Sequence, residues 1–346
     1  MKREDNNMGI NQPEGVRLFA IAGPGSIFHN ARYSFSIGGW SVEDQSFFMR
    51  LTTILPVDFG ESHVYSAIST LEQLLLAMFI NDHLPRRIFY FDHPKDLPKE
   101  TKLELMSILG QCGDPLTRYP ERELAIKGFG QAGWIFTHKP DEPMDVLAQV
   151  DAIEEWFELF AKSDAVAASV GLIQESFAAL NEFSASHRYH DYLALSKAII
   201  LMVSGLESLF FSQSEDRADI AFKFRLVGAM FYERFVAEDY LRRFGTDAKK
   251  LKFVEMKKLL GRLYDIRSMI AHGKAQSILK GNELLKWNRV FELLRVAPVD
   301  SSNKSAFLRQ MVLALGLLQR HLLALIACSK ENLAKGATIV DEIFPP

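Results

Sequence analysis

The second half of the chain has a strong helical pattern. From residue 144 onward, apolar residues recur at intervals of three and four, which places them on one face of an α-helix. The pattern predicts seven helices, over residues 144–161, 166–183, 189–211, 218–232, 249–272, 287–296 and 305–327. No strand-like run follows residue 137, so this half is predicted to be all-helical.

The first half of the chain has a different pattern. Short apolar runs separated by Gly, Pro and Asn predict strands over residues 16–22, 33–37, 47–55, 87–91 and 133–137. Helical spacing is found over residues 64–80 and 99–109. We therefore predict an α+β fold with three parts: a mixed α/β domain over 1–140, an acidic helical connector over 141–185, and an all-helical domain over 186–346.

Composition places the chain among ordinary globular proteins. Of its 346 residues, 48% are hydrophobic and 24% are charged, and two are cysteines. Two cysteines exclude a disulfide scaffold and a cysteine-based zinc module. The first residues are polar, so we expect a cytoplasmic protein with no secretory signal. The most apolar stretches, 194–211 and 311–327, contain polar and charged residues, so no membrane-spanning helix is expected.

The net charge of −3 hides an uneven distribution. Residues 141–185 contain ten acidic residues and one basic residue, whereas residues 186–296 contain 20 basic and 13 acidic residues. Two interpretations are open. The charges either lie on solvated helix faces, or they form an intramolecular contact or a basic face for a polyanion.

One helix of the basic region carries an arginine and a histidine at a notable spacing. Arg267 and His272 are five residues apart, which leaves their side chains about 140° apart on a regular helix. Gly273 follows directly and is a favoured residue just past a helix C-terminus. The pair therefore meets at a distorted helix end or faces a second copy of the chain. At a helix C-terminus the protonated histidine is favoured, which suits a group that alternates between base and acid.

A second candidate is the acidic residue Glu207, which falls on the apolar face of its predicted helix. A carboxylate buried there needs a cationic partner, and the candidates are Arg225, Arg262 and Arg267. Such a pair either serves chemistry or fixes the register of two helices.

Three segments of the helical half resemble a known family. Residues 259–273 (LLGRLYDIRSMIAHG), 199–210 (IILMVSGLESLF) and 221–227 (AFKFRLV) are similar in order and spacing to helices of HEPN domains, in particular the ApeA-like branch. The resemblance covers residues 186–330 and implies a helical bundle that forms a homodimer. It also implies an endoribonuclease that needs no metal and no cofactor.

The resemblance assigns roles to individual residues. His272 would be the general base or acid, and Arg267 would bind the scissile phosphate. Ser268 follows the arginine, where the family often has a larger polar residue. We expect the catalytic set Arg267, His272, Ser268 and Glu207. We expect the substrate-binding set Arg262, Arg225 and Lys274.

The same resemblance implies RNA as the partner and a role in bacterial toxin or anti-phage systems. Residues 1–140 would then sense a phage-derived or operon-encoded trigger or inhibitor, by analogy alone. The alternative is a non-catalytic helical module that binds RNA or protein. The intact Arg267 and His272 pair favours the enzyme.

Overall fold

The computed structural model describes residues 16–23, 34–44, 49–55, 61–81, 87–91, 123–127, 146–181, 188–211, 219–243, 249–273, 282–297 and 303–344. Within these ranges the protein is mostly helical and has one small antiparallel sheet. This architecture is consistent with the predicted α+β class.

The described part of the first half forms an antiparallel sheet. Its strands are β1 (Val16–Gly23), β2 (Ser34–Ile37), β3 (Trp40–Asp44), β4 (Met49–Leu55), β5 (Arg87–Phe91) and β6 (Glu123–Lys127). Their spatial order is β2-β3-β4-β1-β5-β6, and β1 pairs with both β4 and β5. The predicted strands over 16–22, 33–37, 47–55 and 87–91 are confirmed. The predicted strand over 133–137 and the helix over 99–109 lie outside the described residues.

Two strands were missed from the sequence, β3 and β6. Gly38 and Gly39 connect β2 to β3, and both have positive φ angles, of 59° and 79°. A Gly-Gly pair between two short runs is a signal for a two-residue hairpin, so β3 could have been found. β6 begins and ends on charged residues, Glu123 and Lys127, and has only three apolar positions between them.

The helices follow the predicted segments closely. In the first half, α1 is Glu61–Ile80. The second half contains α2 (Val146–Lys162), α3 (Asp164–Asn181), α4 (Arg188–Phe210), α5 (Ile220–Phe235), α6 (Glu238–Arg243), α7 (Phe253–Ala271), α8 (Asn282–Leu293), α9 (Lys304–Cys328), α10 (Lys330–Ala334) and α11 (Ile339–Ile343). The short helices α6, α10 and α11 were not predicted, because six or fewer residues give too little periodicity.

One hydrophobic core connects the sheet to the helices. The Trp40 indole of β3 donates a hydrogen bond of 3.1 Å to the Ala67 carbonyl of α1. Farther along, α3 packs along α4, and the Gln319 amide of α9 donates to the Ser176 hydroxyl of α3 at 3.0 Å. Helices α2 and α3 are thus packed against both α1 and the later helices, and α4, α5 and α7 form the next layer.

The acidic residues of α2 and α3 lie on solvated helix faces. All six that the structure describes are exposed: Asp151, Glu154, Glu155, Glu158, Asp164 and Glu175. Glu158 pairs with Lys162 of its own helix, and Glu155 pairs with Lys330 of α10. Of the two interpretations of the acidic excess, solvation fits these positions, and the Glu155–Lys330 pair adds one contact with the later helices.

Two helical windows, Leu193–Phe210 and Ala306–Cys328, are long and apolar enough to cross a membrane by length and composition. Inside the fold 61% and 72% of these windows are buried, and the core helix of a soluble protein passes the same test.

Candidate functional site

Helices α4 and α7 bring Glu207 and Arg267 together. Neighbouring residues Leu206 and Ile266 are fully buried, and they fix how each helix faces the other. The Arg267 guanidinium donates to a Glu207 carboxylate oxygen at 3.3 Å, and the two side chains are 32% and 17% exposed. Of the three cationic partners considered for Glu207, Arg267 forms an ion pair with it.

Tyr264 is the third member of this cluster, one turn before Arg267 on α7. Its hydroxyl hydrogen-bonds to Glu207, and the Arg267 guanidinium carbon lies 5.7 Å from its ring centroid. Burial raises the pKa of Tyr264, and the charge of Glu207 and the hydrogen bond to it raise the pKa further. Glu207 thus accepts from two donors, which compensates for its removal from water.

The Glu207, Arg267 and Tyr264 cluster is attached to the core by aromatic contacts. The Tyr264 ring packs on Phe224 with centroids 5.4 Å apart, and Phe224 packs on Phe210 at 5.2 Å. Both phenylalanines are fully buried. Rings packed in this way restrict Tyr264, so the donor that it presents to Glu207 is held in place.

His272 lies at the end of α7 and is exposed. Its backbone N–H donates to the Ser268 carbonyl at 3.1 Å, so the helix stays regular through this interval. Gly273 has a φ of +72° and ends the helix, as predicted. Because the helix is regular, no distortion brings Arg267 and His272 together within one protomer. The other expectation, that they face a second copy, stays a prediction.

Ser268 belongs to an outward stripe of α7. It is half-buried and lies one turn before His272, while Asp265 and Lys258 are exposed farther back on the same face. Gly261, also on this stripe, leaves room for the side chain of Arg225 from α5. An added Cβ at Gly261 would lie 3.5 Å from the Arg225 side chain.

The predicted substrate-binding arginines differ in position. Arg225 is exposed, and its guanidinium carbon is 5.4 Å from the Phe222 ring centroid. Arg262 is only 8% exposed, so little of its side chain is open to a substrate. It shares its side of α7 with the buried Leu259 and Ile266, so the helix rotation turns it inward. Lys274 lies outside the described residues.

The surroundings of the site are basic. Helix α5 and residues 249–273 together contain ten Lys or Arg and three Asp or Glu. Among the residues that the structure describes, no group of three His, Cys, Asp or Glu side chains is arranged to hold a metal ion. Comparison of the chain with protein-family models, with curated proteins and with solved structures gives no match.

Proposed function

We propose that this protein is an endoribonuclease of the HEPN type that cleaves RNA without a metal ion. The observation that supports it best is the Arg267 guanidinium, which the Glu207 carboxylate holds partly exposed about one and a half helical turns before the exposed His272. A cation fixed at a basic surface, near the helix end that carries a histidine, fits the binding and cleavage of a phosphodiester.

In the proposed reaction, the ribose 2′-hydroxyl oxygen bonds to the adjacent phosphorus, and the bond from phosphorus to the 5′ oxygen breaks. His272 takes the 2′-hydroxyl proton or gives a proton to the leaving 5′ oxygen, and water or the His272 of a second copy makes the other transfer, so one proton is lost and one is gained. Arg267 binds the phosphate oxygens and stabilises the charge that develops on them. The products are a 2′,3′-cyclic phosphate and a 5′-hydroxyl, and no proton or electron is left over.

Glu207 acts here as a positioning residue, because its contact is with Arg267 and Tyr264. Ser268 is within one helical turn of His272 on the outward stripe. We assign it a contact with substrate or with a second protomer.

The active form in this proposal is a homodimer. Within one protomer, His272 lies about 7.5 Å along the helix axis and about 140° around it from Arg267. A two-fold contact near the C-terminal ends of α7 would place the His272 of one copy beside the Arg267 of the other. The second copy would then supply the histidine that one chain does not align with its own arginine.

The cellular role follows from the resemblance. We propose a cytoplasmic toxin or anti-phage effector, in which residues 1–140 respond to a trigger. The sheet packs on α1 and α2, so a ligand on the sheet acts on the same core as the helices of the site.

A second candidate is a non-catalytic module that binds RNA or protein. The observation that favours it is the same ion pair, because a guanidinium that is already bound to a carboxylate can serve simply to fix α4 against α7.

Expression in bacteria separates the two candidates. Wild type, Arg267→Ala and His272→Ala are compared for growth and for fragmentation of total RNA, with Arg309→Ala, an exposed arginine on α9, as the matched control. The enzyme predicts that wild type and the control fragment RNA and that the two site variants do not. Intact RNA with wild type after phage challenge, or equal fragmentation by His272→Ala, would reject it.

A further inference from the structure

An exposed phenylalanine lies near the site, with two cations at its ring. Phe222 of α5 is 46% exposed. The Arg225 guanidinium carbon is 5.4 Å and the Lys257 ammonium 5.7 Å from its ring centroid. Lys257 is also 5.7 Å from the centroid of Phe253 on α7, so its ammonium lies near two rings from two helices. We call these four residues the Phe222 cluster.

Among the described residues, no ion pair neutralises the positive charge of the Phe222 cluster. Within the described part of the chain, neither Arg225 nor Lys257 forms an ion pair. Two carboxylates of these helices are bound to backbone instead. Glu255 accepts from the Lys252 N–H at 2.7 Å, and Glu233 accepts from the Phe253 N–H at 3.3 Å. The cluster therefore presents an apolar ring and two available cations to solvent.

The Phe222 cluster and the candidate site both include residues of α7. Lys257 and Tyr264 are seven residues apart, so they share one face of α7. Arg267 is ten residues from Lys257, about 15 Å along the axis. Between them Gly261 has no side chain, and Arg225 crosses beside it. A chain molecule that follows α7 from its N-terminal end would meet the Phe222 cluster first and the region of Arg267 about 15 Å farther on.

We infer that the Phe222 cluster is a binding subsite for single-stranded nucleic acid. A base stacks on the Phe222 ring, and the phosphates beside it contact Arg225 and Lys257. Aromatic rings flanked by basic side chains bind single strands in this way, because every base has a π-face and every linkage a charge. Bases of a duplex are already stacked, so a duplex cannot use the ring. That the strand is RNA leading to Arg267 rests on the proposed function.

Binding of an uncleavable strand tests the subsite. The probe is a short fluorescein-labelled oligouridylate with 2′-O-methyl groups, which has no 2′-hydroxyl to react, and fluorescence anisotropy gives its Kd with the full chain. Phe222→Leu removes the π-face, and loss of a stacked base weakens binding about 5- to 100-fold. Phe222→Tyr keeps the ring and should bind like wild type. Leu313→Ala, an exposed apolar residue on α9, is the matched control.

The salt dependence gives a second readout. Each phosphate contact with a single strand contributes about −0.7 to the slope of log K against log salt, so Lys257→Ala and Arg225→Ala should each flatten the slope by about that amount. Arg309→Ala should leave the slope unchanged. Circular dichroism and Tm of each variant verify the fold.

The outcomes separate this inference from the proposed function. If wild type binds no single strand, or if folded Phe222→Leu binds as tightly as wild type, the subsite is rejected. If Phe222→Leu binds the single strand more weakly than wild type but wild type cleaves no RNA, the subsite is supported and the proposed nuclease is rejected. If wild type and Phe222→Leu cleave RNA equally and bind the single strand equally, the proposed nuclease is supported and the subsite is rejected.

Discussion

The ion pair between Glu207 and Arg267 should stabilise the protein measurably, because it joins α4 to α7 in a half-buried place. Exposed ion pairs contribute about 0.2–1 kcal/mol, and breaking a fully buried pair costs about 3–5 kcal/mol. With side chains 17% and 32% exposed, this pair falls between these limits. We expect a coupling free energy of about 1–2 kcal/mol between the two residues.

A double-mutant cycle measures this coupling. Glu207→Ala, Arg267→Ala and the double variant are unfolded in urea, and the free energies are compared at equal m values. The matched control is the Glu158–Lys162 pair, which is shorter, at 3.0 Å, but 59% and 73% exposed. Its coupling should be about 0.3–0.5 kcal/mol. A coupling for Glu207 and Arg267 no larger than that of the control would refute the claim that burial strengthens this contact.

Three further predictions test other parts of the fold. The buried His321 ring and the Tyr232 hydroxyl share a hydrogen bond of 2.8 Å, and burial lowers the pKa of His321 from 6.5 to about 4. The folded state thus binds a proton at His321 less readily than the unfolded state does. The contribution of His321 to the free energy of unfolding is therefore complete above pH 6.5 and declines by about 3 kcal/mol toward pH 4. Urea unfolding of His321→Gln should lack this part of the decline, and a pH profile of stability equal to that of wild type would contradict the prediction. A Cβ at Gly205 of α4 would lie 2.7 Å from the Ser169 carbonyl of α3. Gly205→Ala should therefore lower the free energy of unfolding in urea by about 1–3 kcal/mol. An unchanged free energy of unfolding would show that α3 and α4 are not in close contact. Gly273 has a φ of +72°, a backbone conformation that is unfavourable for alanine. Gly273→Ala should therefore lower the free energy of unfolding in the same assay by about 1 kcal/mol. A more stable variant would show that α7 does not end as described.

The helices could be predicted from the sequence because each has an apolar face at regular spacing. Phe157 and Phe160 of α2, for example, are a half-buried and a buried residue at the predicted spacing. The strand β3 was missed because its alternation is short, and its hairpin signal is a two-glycine turn. Elements of six or fewer residues depend on the contacts they make and not on their own pattern.

The candidate site could be predicted only in part. Spacing placed Glu207 on an apolar face, but three arginines were equally eligible as its partner. The choice depends on how α4 and α7 are rotated against each other, which the packing of both helices determines. The inward position of Arg262 could have been found, because it lies between the apolar Leu259 and Ile266 on one helix side. Tyr264 was missed because its hydrogen bond crosses between helices.

The central claim is cleavage of RNA by its own 2′-hydroxyl at a site containing Arg267 and His272. The most direct measurement compares an RNA oligonucleotide with the same strand carrying one 2′-deoxy nucleotide at the cleaved position, with purified protein in EDTA, and identifies the products by mass spectrometry. We predict 2′,3′-cyclic phosphate and 5′-hydroxyl ends from the RNA, no cut at the 2′-deoxy position, and no cut by His272→Ala. A cut at the 2′-deoxy position, or the same products from His272→Ala, would contradict the account.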